Sequence, residues 1–526
     1  MLVCDRRGES NLTRKTGVLL SYVLMVLEVL STLLLTPFII RTLGDAEYGI
    51  YKLTASISAY LLLLDLGIGN SVVRFVAKYR ATGNKEQCQK FLGITSIYYA
   101  GVAAICLLTG VVLVHIFPTA FAKGLTQDEI RLGQILLTIT TINAAITLSV
   151  AGFKNTIIAY EHFGVSRGIS IVSIVVRVIL VVVALRLNLG SVALVSINTL
   201  ITAASSVFFS VYVIKKLNLR PRFALGDKPL VKEVITYSSL ILLQMIATQV
   251  NACLDSILLG MFVKSASTVI AVYSVGQQIT QYFQSIGSAV TSVLMPGVVR
   301  MVENGATPAE LCEEMVRIGR LTLMALGVVW SGFFVCGERF ITLWVGGSKI
   351  NAYWVALLLM SVYIFVLTES IGTQVLWAKN EHKEQSILKI SVVLINIVLT
   401  IALIKWNPLY GATIGTALSL LFGDVIVMNF VFVKRIKINL IHYYVALFKG
   451  IVPCLAVTTM GGYLFSLLRM HGWLGLAANI AFMVGIYALC MLHFGMNHYE
   501  RALVSGILAK VCPPKKQKPF GREYHK

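Results

Sequence analysis

Five carboxylates stand in apolar stretches where an ionised group is expensive: Glu28, Asp65, Asp255, Glu369 and Asp424. Ionisable residues inside membrane spans usually face a wet cavity or a partner, so each is a candidate for carrying a coupling proton or sodium ion. Polar residues surround them at helical spacing. Ser21, Glu28, Thr32 and Thr36 recur at steps of seven, four and four, and Thr54, Ser58 and Asp65 share a second face. Gln244, Thr248, Asn251 and Asp255 form a third, and Tyr273, Gln277, Gln281, Gln284 and Ser288 a fourth. Residues at such steps lie on one side of a helix. Four polar faces suggest a hydrophilic cleft able to hydrogen-bond a polar cargo. The plainer account is that Ser, Thr and Gln glue helices together.

Cations are the complementary chemistry. Arg177 lies within an apolar run, SIVVRVIL, where it would meet an acid or a phosphate. Arg74 and Lys154 end apolar stretches and can snorkel to an interface. No constellation for catalysis stands out. There is no P-loop lysine motif, no G-x-S-x-G and no HExxH. Neither the nine cysteines nor the eight histidines show metal-ligand spacing, so no metal and no enzymatic activity are expected.

The elements that must hold these groups are membrane helices. Of 526 residues, 57% are hydrophobic and 13% charged, against about 25% charged in average globular proteins. Mean hydropathy is +0.81. An ordinary soluble enzyme is excluded, and so is a disordered nucleic-acid-binding chain despite the net charge of +21. At about 20 apolar residues per crossing, fourteen stretches span a bilayer, from 17–40 and 50–75 to 445–468 and 473–492. With the N-terminus inside, 34 of the Lys and Arg fall in inside segments and 10 in outside loops, which places both termini in the cytoplasm. Thr126-x-x-Glu129 and Thr307-Pro308-Ala309-Glu310 read as capping boxes, the second starting a polar extension of the ninth span.

The expected class is an all-α polytopic membrane protein with about fourteen transmembrane helices. The polar stretch at 215–234 reads as a cytoplasmic linker between two six-helix lobes, 16–214 and 235–433. The ends are a cytoplasmic N-terminus at 1–15, two further helices within 434–492 and a basic cytoplasmic tail at 493–526. AEYGIYKLTASI around Tyr51 echoes STVIAVYSVGQQI around Tyr273, as a duplicated half would.

The segment from Arg41 to Tyr79 resembles the signature of polysaccharide (O-antigen-type) flippases of the multidrug/oligosaccharidyl-lipid/polysaccharide exporter superfamily. The matching residues are Leu43, Gly44, Glu47, Tyr48, Gly49, Asp65, Leu66, Gly67, Gly69 and Arg74, joined by Asp255, Leu258 and Gly260, and by Tyr273 and Gln277. The resemblance implies two six-helix lobes around a central cavity, working by alternating access without ATP in the bacterial inner membrane. It implies a polyprenyl-diphosphate-linked oligosaccharide as substrate, and a polysaccharide polymerase and glycosyltransferases as partners. Glu28, Thr32, Asp65 and the polar faces from Gln244 to Asp255 and from Gln277 to Gln284 would line the cavity. Diphosphate recognition would fall to Arg177, Arg74 and Lys154 at the cytoplasmic entrance. A cation-coupled multidrug exporter, a lipid II flippase and a non-transporting scaffold for polysaccharide assembly are the competing readings.

Overall fold

The computed structural model describes residues 5–223, 245–246, 248–379, 381–468 and 470–511. Helices α1 to α7 cover Asp5–Leu61, Ile68–Ala81, Lys85–Phe121, Gln127–Ser149, Ala151–Ala159, Phe163–Arg186 and Gly190–Val211. Helix α8 covers 248–262. Helices α9 to α13 are Ala266–Glu303, Pro308–Trp344, Ala352–Thr368, Ser370–Ala378 and His382–Ile404. Helices α14 to α19 are Pro408–Leu420, Met428–Arg435, Leu440–Phe448, Ile451–Ser466, Gly472–Cys490 and His498–Val511. No strand occurs among the described residues. Lipid offers backbone groups no partner, so a chain this apolar closes its hydrogen bonds within helices.

The protein is a multi-pass membrane protein. Among the described residues, eleven helices are long and apolar enough to cross a bilayer, or twelve if the bent α9 is one span. The difference from fourteen lies in two places. Leu20–Ala81 counts once although it carries both of the first two expected spans. The seventh, 235–262, falls partly outside the described residues. Large apolar side chains face outward, among them Leu34 at 72% exposure and Leu108 at 68%. Water would penalise such surfaces, whereas acyl chains match them.

Breaks in the helices fall where the sequence provides for them. Gly44, at φ 75°, kinks α1. Leu66 and Gly67, both at positive φ, separate α1 from α2. Both expected capping boxes form: Glu129 accepts from the Thr126 backbone N–H at 2.8 Å, and Glu310 from that of Thr307 at 2.7 Å. Helix α10 accordingly starts at Pro308 and runs into the ninth span without interruption.

The described residues form two compact units. One lies within Met1–Tyr282, Ile341–Val362 and His382–Met428, the other within Phe283–Phe340, Tyr363–Glu381 and Asn429–Lys526. In the first unit, α2, α3, α5 and α7 pack around Phe75, Phe91, Tyr99 and Ile157.

Candidate functional site

Within the first unit, the two arms of α1 meet α6 and α7 around a cavity of ≈ 260 Å³. The arm before Gly44 supplies Thr32 and Thr36, and the arm after it supplies Tyr51 and Lys52. Helix α6 contributes Arg177 and α7 contributes Asn198. The Gly44 kink matters here, because a straight helix could not bring residues 32–36 and 48–52 to one hollow.

Two positive charges face this space and none of its lining residues is acidic. Neither Lys52 nor Arg177 is paired with a carboxylate among the described residues. The Lys52 ammonium sits 5.4 Å from the centre of the Tyr48 ring. Arg177 Nε and the Tyr48 hydroxyl are buried without a hydrogen-bond partner among the described residues. A buried donor left unsatisfied is costly, so such a site is built to receive an acceptor. From α9, Gln278 donates to Thr36 at 3.0 Å and to the Tyr282 hydroxyl at 2.8 Å, tying that helix to the cavity wall.

Lys52 lies inside the expected span 50–75 but was not among the candidate site residues. Its place one turn beyond Tyr48, in an apolar run, was the available signal. The resemblance implies Arg177 beside Arg74 and Lys154 at one entrance, whereas the structure holds them apart. Arg177 lies fourteen residues into α6, about 21 Å along the helix, towards the Gly190 turn. Arg74 is exposed on α2 and Lys154 is on α5, towards the opposite end, where Arg80 donates to the Ala159 carbonyl at 3.3 Å. Lys52, Arg320 and Lys389 lie in spanning helices as Arg177 does.

The carboxylates are dispersed. Glu28 is exposed, and its carbonyl accepts from Thr32 at 2.7 Å. Asp65 stands at the break before α2, accepting from Tyr99 at 2.7 Å and from the Gly69 backbone N–H at 3.3 Å. Asp424 is buried in a π-helical turn and pairs with Lys389 at 2.7 Å. In the second unit, Glu369 is buried between α11 and α12 and accepts from Tyr444 and Asn429.

Asp255 is 2% exposed and sits in a closed oxygen-rich cluster. Tyr273 donates to it, Thr416 donates at 2.6 Å, and Thr400 lies at 3.5 Å. Asn396 Oδ1 accepts from Thr400 at 2.8 Å. Helices α8, α9, α13 and α14 thus converge on one carboxylate. The stripes of α8 and α9 face each other, with Gln277 donating to the Ala252 carbonyl at 2.5 Å. Asn251 and Gln284 are half-buried, while Thr248 and Gln281 are exposed. Gln244 lies outside the described residues.

Residues 12–302 match the family model described as polysaccharide biosynthesis protein. The chain belongs to the polysaccharide biosynthesis protein family. This family segment contains the whole of the Lys52–Arg177 cavity. A relative within reach is EpsK of Bacillus subtilis (strain 168), named an uncharacterized membrane protein. It is 22% identical over 496 residues, covering 91% of this chain and 95% of that protein. In fold, the chain is similar to the lipid II flippase MurJ in an inward closed conformation. There the TM-score is 0.70 at 13% identity, over 93% of this chain and 99% of that one. It is also similar to an inward-facing MATE-family multidrug resistance transporter of the MOP superfamily. The TM-score is 0.61 at 12% identity, over 77% and 95% of the two chains.

Proposed function

We propose that the protein is a flippase for a lipid-linked oligosaccharide, moving a sugar on a polyprenyl diphosphate across the bacterial inner membrane by alternating access. Both termini lie in the cytoplasm in this reading. The observation that carries it is the cation-lined cavity of Lys52 and Arg177 in a chain of the polysaccharide biosynthesis family. A guanidinium and an ammonium facing one small space suit a diphosphate, whose oxygens accept several charge-assisted hydrogen bonds. The adjoining Thr32, Thr36 and Asn198 offer neutral polar groups of the kind a sugar needs. The lipid tail can stay in the bilayer, so the cavity need hold only the headgroup. A polymerase and glycosyltransferases would supply and consume the substrate.

The Asp255 cluster is the coupling site in the same proposal. Its carboxylate and side-chain oxygens, from Tyr273, Asn396, Thr400 and Thr416, form a hard-ligand set suited to a proton or a sodium ion. The test of the substrate site is direct. Arg177→Ala and Lys52→Ala, expressed at matched levels, should each lower surface polysaccharide, and flipping of a fluorescent polyprenyl-diphosphate sugar in proteoliposomes, by about tenfold or more, which corresponds to about 1.4 kcal/mol. Unchanged flipping in both variants would exclude this cavity as the headgroup site.

A further inference from the structure

One end of the first unit is sealed by close backbone contacts and polar bonds. A Cβ at Gly49 would stand 1.8 Å from the Ser267 carbonyl oxygen, and one at Gly124 2.2 Å from that of Gly260. The turn between α3 and α4 therefore packs closely on the main chain at the end of α8 and on the turn that follows it. The Ala266 N–H donates to the Gly124 carbonyl at 3.0 Å, and the Ser267 hydroxyl to Glu129 at 2.5 Å. The last residue of α10 and the segment after it fold onto α1. Trp344 Nε1 donates to the Leu33 carbonyl at 2.7 Å, and the Lys349 ammonium pairs with Asp45. Lys349 is 1% exposed, an unusual burial for a lysine.

Two properties set this seal apart from ordinary helix packing. It is made of hydrogen bonds, an ion pair and bare backbone, all of which water can replace when the parts separate. It also adjoins the cation-lined cavity, because Tyr48 and Gly49 are consecutive residues of α1. Parting the seal would open the Lys52–Arg177 space to the water at that end. The Glu-Tyr-Gly motif then has a physical account. Glu47 accepts from the Ser191 N–H at 2.5 Å and fixes the start of α7, Tyr48 is buried, and Gly49 presents the surface that meets Ser267.

We propose that the Gly49–Ser267, Glu129–Ser267 and Asp45–Lys349 contacts are the gate of this end, closed in this structure, with Lys349 as its latch. The inference rests on the alternating-access reading, yet its test does not need transport. Removing the Lys349 charge leaves Asp45 unpartnered and weakens the latch. A methyl group at Gly49 acts as a wedge that only separated segments accommodate.

Hydrogen–deuterium exchange of the full chain in nanodiscs, read by mass spectrometry, tests the gate. Lys349→Met and Gly49→Ala should each speed exchange at 45–52 and 263–270 by about tenfold or more, with α13 and α14 unchanged. The charge-swapped pair Asp45→Lys with Lys349→Glu should return exchange to the native rate. Native rates in both single variants, or an equal rise throughout the chain, would overturn the gate. Failure of the flippase reading would show instead as native flipping in the cavity variants of Arg177 and Lys52, whatever the exchange data give.

Discussion

At the residue scale, what matters about a buried charge is whether its bonds are complete. Arg320 shows the complete case: it donates to Glu500 at 2.6 and 3.1 Å and to the carbonyls of Ala446, Lys449 and Gly495. Arg177 shows the incomplete one, with its Nε buried and without a partner among the described residues. The first is structural, and the second is the group that the proposed function gives to a ligand. Asp255 lies between them, saturated by hydroxyls yet surrounded by exchangeable oxygens. Asp255→Asn keeps the shape, removes the charge and turns an acceptor oxygen into a donor facing other donors. Melting in detergent should show a loss of about 1–3 kcal/mol, the usual cost of a mismatched buried polar group. Under the coupling proposal, flipping by this variant should also become indifferent to the ion gradient. A variant that kept full gradient dependence would move coupling to another acid.

At the scale of elements, helix ends were legible because capping chemistry is local. Thr126, Glu129, Thr307 and Glu310 occupy the positions their spacing predicts, since the bonds involved span only three residues. Thr126→Ala should lower stability by about 1 kcal/mol in a thermal shift experiment, with flipping intact at temperatures where the protein is folded. A larger loss would mean that Thr126 also supports the nearby Glu129–Ser267 contact. The polar stripes were less legible. Periodicity put Tyr273 and Gln277 on one face of α9, but it could not tell a cavity wall from a helix seam, and in the structure both bond to α8.

At the scale of the whole molecule, a buried ion pair ties α19 to α10 within the second unit. Glu500 caps α19 with Asn497 and meets Arg320 on α10. Arg320→Met strands a carboxylate in a dry site and should cost the second unit about 3–5 kcal/mol, whereas pairing it with Glu500→Leu should recover much of that, because no charge is then left alone. Unfolding monitored on both variants decides this, and equal losses would show that packing rather than charge is at stake. The sequence by itself determined that the chain is helical and membrane-bound, where most spans lie, how several helices start and which family signature it carries. These follow from composition, periodicity and bonds between residues a few positions apart. Only the tertiary structure decided that Lys52 joins Arg177, that Arg74 and Lys154 do not, that Asp255 is enclosed by four helices, and that Lys349 is buried against Asp45. Each depends on which faces of helices distant in sequence are brought together, and no local pattern encodes that.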